Sequence, residues 1–249
     1  MLLAYTLPPG IALWIAFLGG AVAVGLGKAI WGGLGQNIFN PALVGRAFLQ
    51  AAFPTVMTTW TAPGQGFFHL SGTTFAAPLM HGKVDAVTAA TALGRLKFQH
   101  DLTALDLSPL FWGNTGGSLG ETSAIVLLAA AVFLIARRTF DWRLFVSTLA
   151  GAAAVSGALF VVNADKFPNP LFMIVSGGLM FGAVFMVTDP VTTPITPKGA
   201  WIYGLGVGLL VVIIRLFGGL PESVMYSILL MNAVTPHINR KTQPRRFGG

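Results

Sequence analysis

The chain has 249 residues, of which 54% are hydrophobic and 9% are charged. An average soluble domain has about 25% charged residues, so the composition excludes a water-soluble globule. Lys and Arg number 15 against 8 Asp and Glu, and they cluster at the ends of apolar runs. That distribution is typical of membrane topology and argues against nucleic-acid binding. Because the chain has no cysteine, disulfides, thiolate zinc sites and cysteine-held iron–sulfur clusters are excluded as well.

The apolar runs predict an all-α polytopic membrane protein with one membrane domain over residues 1–249. Several runs are shorter than the roughly 20 residues that a straight span needs, so we expect some short or broken helices. Glycines within them, including Gly151, Gly177 and Gly178, predict close helix packing. The seven runs cover residues 11–30, 42–57, 125–136, 144–162, 171–187, 200–214 and 224–238.

Basic residues predict the orientation in the cell's inner membrane. Arg137, Arg138 and Arg143 crowd the hairpin between the third and fourth runs, which places that hairpin in the cytoplasm. Alternation from there puts the C-terminus in the cytoplasm. It puts the long hydrophilic stretch 58–120 on the outer side, where it is the one part of the chain large enough for a site outside the bilayer.

Two stretches of the chain resemble each other. Residues 9–34 and 197–220 each contain a Pro/Gly break, a Trp-Ile pair, a basic residue and Gly-Gly-Leu, although such residues also recur by chance in apolar sequence. Because the predicted orientations are opposite, we expect inverted five-helix repeats with broken helices. The first repeat then lacks about three N-terminal spans, which predicts an N-terminal truncation.

A short motif lies inside the hydrophilic stretch. Residues 85–91 read Asp-Ala-Val-Thr-Ala-Ala-Thr. Asp85 can cap a turn, and the small residues leave the Thr91 hydroxyl approachable. A threonine hydroxyl needs an external activator to react, so the residues alone also fit a capped turn that leads into a helix.

This motif resembles the D-x-x-[S/T]-[G/A]-A-T sequence at which flavin transferases attach FMN to threonine through a phosphoester bond. Other stretches, in the order of the family, resemble the RnfD/NqrB membrane redox subunits, and the end of the chain is more similar to RnfD. These stretches are residues 32–42, 117–123, 188–199 and 214–222.

The resemblance implies a subunit of an Rnf-type complex, which moves electrons between ferredoxin and NAD and couples them to Na⁺ or H⁺ translocation. It implies covalent FMN on Thr91 at the outer side, with Asp85, Thr88 and Ala90 completing the attachment motif. The implied partners are the A, B, C, E and G subunits of the Rnf complex, a flavin transferase and the lipid bilayer. A second, non-covalent flavin such as riboflavin belongs to the same set of expectations.

Polar residues at the ends of the spans have two interpretations. Asn37, Asn40 and Asp189 fit either helix capping or a second flavin or ion site. Glu121 either borders the flavin site or stabilises the start of the third span through the helix dipole. Arg215 is expected to extend its charged head to the membrane interface, or alternatively to contact a flavin.

Two other functions remain open from the sequence. One is an NqrB-like subunit of a Na⁺-translocating NADH:quinone reductase. The other is a solute or ion channel or transporter built on the same repeat, without redox function and without flavin.

Overall fold

The structure is a computed structural model that describes residues 1–60, 74–78, 91–99, 106–219 and 222–244. Within these ranges the secondary structure is helical, without strands. A 3₁₀ turn covers Ala29–Trp31, and π-helical turns cover Arg95–Gln99 and Gly182–Met186. The α-helices are α1 (Leu2–Tyr5), α2 (Leu13–Gly25), α3 (Pro41–Ala52), α4 (Pro54–Met57), α5 (Ala92–Gly94), α6 (Leu107–Trp112), α7 (Ala124–Ala136), α8 (Trp142–Val162), α9 (Pro170–Val175), α10 (Leu179–Phe181), α11 (Pro197–Phe217) and α12 (Val224–Thr242).

Three helical stretches are long and apolar enough to cross a membrane: Leu13–Trp31, Trp142–Val162 and Pro197–Phe217. Ala124–Ala136 is apolar but shorter. Each of the seven predicted apolar runs contains helix, which confirms the all-α membrane class. The other predicted runs form helices that are shorter, interrupted or more polar.

The centre of the molecule is the packing of α8 against α11. Small residues allow the two backbones to approach closely. A Cβ added to Gly151 of α8 would lie 2.7 Å from the Leu205 carbonyl oxygen of α11. Close packing at Gly151 therefore follows the prediction.

The run 171–187 is broken in its middle. α9 ends at Val175 and α10 begins at Leu179. Between them Gly177 has a φ of +61°, a conformation that side-chain-bearing residues rarely adopt. Gly177 and Gly178 were predicted to serve close helix packing. Both are closely packed, by Leu93 and Glu121, and Gly177 also provides the left-handed turn that ends α9. The break leaves main-chain carbonyls free for other donors.

The start of α3 joins the two halves of the chain. The Asn40 side chain accepts hydrogen bonds from the N–H groups of Ala42 and Leu43 and donates to the Met186 carbonyl at 3.4 Å. The Asn232 side-chain amide lies 2.5 Å from the Tyr203 hydroxyl and reaches the Asn40 N–H at 3.0 Å. Capping by Asn40 is thus confirmed. The pairs α2–α3 and α11–α12 each pack together, while the inverted relation between them stays a prediction.

Candidate functional site

Thr91 lies at the start of a short helical segment, residues 91–99. Its backbone is extended and it is the N-cap of α5, with its Oγ1 accepting the Gly94 N–H at 3.0 Å. The helix begins only at Ala92, so Thr91 does not lie within a helix. Thr91 is half-buried. The other motif residues, Asp85, Thr88 and Ala90, lie outside the described residues.

The Thr91 segment is anchored to α11 and to the helix break. Leu93 is buried and packs against Gly177, since a Cβ on Gly177 would lie 2.5 Å from its Cδ1. The Lys97 ammonium donates to the Arg215 carbonyl at 2.8 Å and also to the Leu216 and Gly218 carbonyls. These carbonyls have no partner within α11, so a cation is stabilised there. Burial lowers the pKa of Lys97 from its ordinary value.

A cavity of about 450 Å³ opens beside this segment. Its volume lies within the roughly 300–1,000 Å³ typical of small-molecule sites. Most of its walls are apolar, and they carry three basic side chains against one acid. The lining residues are Leu93, Leu96, Lys97, Asp165, Lys166, Phe167, Pro168, Arg215, Leu216 and Phe217.

Arg215 of the cavity wall is one of four charged residues that we call the charge cluster: Arg46, Glu121, Arg215 and Glu222. The Arg46 guanidinium donates to Glu121 at 3.0 Å and to Glu222. The side chains of Arg46 and Glu121 are 8% and 5% exposed, whereas that of Glu222 is 31% exposed. Although the cluster is formally neutral, burying its members demands that each one stay paired.

Glu121 does not serve as the dipole-stabilised first residue of α7. That helix begins at Ala124, with Ser123 as its N-cap. The Glu121 carboxylate instead faces Arg46 and packs on Gly178, where an added Cβ would lie 2.6 Å from Oε1. Its assignment to the flavin site stays a prediction.

Arg215 does not extend to the interface as expected. It is 3% exposed and donates to the Met173 carbonyl at 2.5 Å and to the Ser176 carbonyl at 2.9 Å. These are carbonyls next to the break in the run 171–187, so a buried guanidinium replaces the missing helical donors. Its Nε has no hydrogen-bond partner among the described residues.

Comparison with known sequences decides the family. The sequence model of the NQR2, RnfD, RnfE family matches residues 1–248. The chain belongs to this family. Within the NQR2, RnfD, RnfE family, the curated relatives that match the chain at about 40% identity are D subunits of membrane complexes.

Three of these relatives show the range of the similarity. The D subunit of the ion-translocating oxidoreductase complex of Stutzerimonas stutzeri is 40% identical, with 99% of this chain and 73% of the relative covered. The D subunit of the proton-translocating ferredoxin:NAD(+) oxidoreductase complex of Clostridium ljungdahlii is 41% identical, with 100% and 72% covered. The D subunit of the Na(+)-translocating ferredoxin:NAD(+) oxidoreductase complex of Acetobacterium woodii is 40% identical, with 100% and 71% covered.

Sequence reasoning missed the charge cluster of this NQR2, RnfD, RnfE family chain. Arg46 lies inside the apolar run 42–57. Arg215 likewise follows an uninterrupted apolar run. An ionisable residue within such a run requires a buried partner. The sequence therefore indicated that buried acidic partners exist, and the structure shows that Glu121 and Glu222 pair with Arg46.

Proposed function

We propose that this chain is the D subunit of an Rnf-type ion-translocating ferredoxin:NAD oxidoreductase. Membership of the NQR2, RnfD, RnfE family and relatives named as the D subunits of such complexes support this assignment. The chain then acts as an electron-transfer subunit within the assembled complex, with the other Rnf subunits as partners.

We further propose that Thr91 carries FMN through a phosphoester bond, on the outer side of the membrane. The observation that carries this proposal is the position of Thr91 at the end of a segment that lines the cavity. Leu93 is two residues away, so its Cα lies within about 7 Å of that of Thr91. A flavin tethered to the Thr91 oxygen can therefore reach the cavity through its flexible ribityl chain.

The lining residues fit a flavin ring. Leu93, Leu96, Phe167 and Phe217 offer apolar contact, and flat aromatic ligands are favoured by such walls. Lys97 and Lys166 supply positive charge at the rim, and Arg215 holds an Nε–H donor that no described residue accepts. When bound, FMN would supply one- and two-electron chemistry, while the chain supplies position and electrostatics.

Mass spectrometry of the chain coexpressed with a flavin transferase tests the attachment. We expect an FMN-sized adduct on the tryptic peptide that ends at Arg95. Thr91→Ala should abolish it, and Thr91→Ser should retain it because the hydroxyl is kept. Thr88→Ala, the matched control, should retain at least some adduct. Absence of the adduct from the wild-type peptide would contradict the proposal and favour a channel or transporter without redox function.

A further inference from the structure

Arg215 is part of both the cavity wall and the charge cluster. It lines the cavity next to the Thr91 segment. Its Nη2 also lies against Gly177, directly beside Gly178, on which the Glu121 carboxylate packs. Its guanidinium is the charged group that the cavity and the cluster share among the described residues. A change of charge in the cavity therefore changes how strongly Arg215 stabilises the two carboxylates.

We propose that Glu222 is a proton-binding site whose proton affinity is linked through Arg215 to the charge in the cavity. The link rests on the proposed attachment of FMN at Thr91. If FMN held in the cavity were reduced by a low-potential donor such as reduced ferredoxin, Glu222 would take a proton from bulk water. An O–H bond forms at its carboxylate oxygen, and the proton leaves when the electron moves on.

The surroundings of the two carboxylates select Glu222. Glu121 is enclosed, 5% exposed, and paired with Arg46 at 3.0 Å. Glu222 shares the same guanidinium, yet 31% of its side chain is exposed, so a proton can reach it from bulk water. This combination suits a group that exchanges protons without leaving the cluster.

The charges that face Glu222 come from three elements. Arg46 of α3 and Arg215 of α11 favour its ionised form, while Glu121, just before α7, opposes it. Burial is the largest effect, and together these contributions raise the pKa of Glu222 to about 7. Negative charge in the cavity offsets the attraction of Arg215, so it raises the proton affinity of Glu222 further. The two guanidinium groups repel a bound metal cation, whereas a proton joins the carboxylate covalently, and this favours a proton over Na⁺.

The experiment measures the reduction potential of the FMN-loaded chain against pH, with dithionite as the reductant. For the wild-type chain we expect a section of the plot in which the potential falls more steeply with pH, because reduction there binds one additional proton. This section begins near pH 7 and extends about one pH unit higher. This width corresponds to about tenfold tighter proton binding in the reduced state. Glu222→Gln should lack the section. Asp141→Asn, the same chemical change at an exposed carboxylate, should retain it.

A second measurement uses the wild-type chain alone. The reduced-minus-oxidised infrared spectrum should gain the band of a protonated carboxyl, with a shift in heavy water. A potential profile unchanged by Glu222→Gln, or a section that moves with Na⁺ concentration instead of pH, would overturn the link. Absence of FMN from Thr91 would overturn the proposed attachment itself and the link with it, and mass spectrometry distinguishes that case from the others.

Discussion

Arg46 pairs with two carboxylates through one guanidinium. Glu121 lies 3.0 Å away and Glu222 also accepts from it. Removing one partner of a buried ion pair leaves an uncompensated charge, which costs far more than the intact pair contributes. The residue is therefore a structural requirement for both acids.

Arg46→Met tests this requirement. We expect a loss of about 3–5 kcal/mol of unfolding free energy, because Glu121 and Glu222 lose their donor. Thermal unfolding in detergent measures it. Arg143→Met is the matched control, since Arg143 pairs with Asp141 at 3.5 Å while both side chains are more than a third exposed. Its expected cost is below about 1 kcal/mol, and equal losses in the two variants would contradict the assignment.

Glu222 gives stability a dependence on pH. Its folded pKa of about 7 lies above the ordinary value of 4.5, so the folded state binds the proton more tightly than the unfolded state. This contribution to stability is present below about pH 4.5 and is lost as pH rises to about 7. The melting temperature should fall across this window, and less steeply in Glu222→Gln. Parallel curves for the two proteins would show that Glu222 is not the titrating group.

At the scale of elements, the break between α9 and α10 positions both functional regions. Gly177 packs under Leu93 of the Thr91 segment, and Gly178 lies under Glu121. The carbonyls of Met173 and Ser176 hold Arg215. One irregular turn thus places the cavity wall and the charge cluster next to each other.

Gly177→Ala should disturb both regions. With φ at +61°, alanine costs about 1–3 kcal/mol through backbone strain, and its methyl group displaces Leu93. We expect a lower melting temperature and weaker FMN attachment at Thr91. Gly20→Ala in α2 is the control, because nothing lies within 4 Å of the added methyl and a helical alanine is stabilising by up to about 1 kcal/mol. A neutral Gly177→Ala would contradict the role of the turn.

Apolar runs were sufficient to predict the helices, because burial in lipid requires internally bonded backbone. They were not sufficient to predict the break at Gly177, because glycine in an apolar run serves close packing and left-handed turns equally well. Thr91 was found from its motif. The charge cluster was missed because Arg46, Glu121 and Glu222 are distant in sequence, and their pairing depends on how the helices pack.

At the scale of the whole molecule, the orientation of the chain in the membrane remains a prediction, and it can be tested directly. The chain has no cysteine, so a single introduced thiol reports one position. Thr139 and Ala164 are exposed residues at opposite ends of α8. With Thr139→Cys, a membrane-impermeant maleimide should label only inverted vesicles. With Ala164→Cys, it should label intact spheroplasts. The reverse pattern would place Thr91 on the cytoplasmic side.

The separation of the charge cluster along the chain has a consequence for biosynthesis. Arg46 is translated 75 residues before Glu121 and 176 residues before Glu222. On insertion scales, an unpaired arginine at the centre of a span costs about 2.5–3.5 kcal/mol. Nascent α3 therefore carries an uncompensated charge until the later segments leave the ribosome. Its final position in the bilayer is reached only after α11 and the loop with Glu222 have been made.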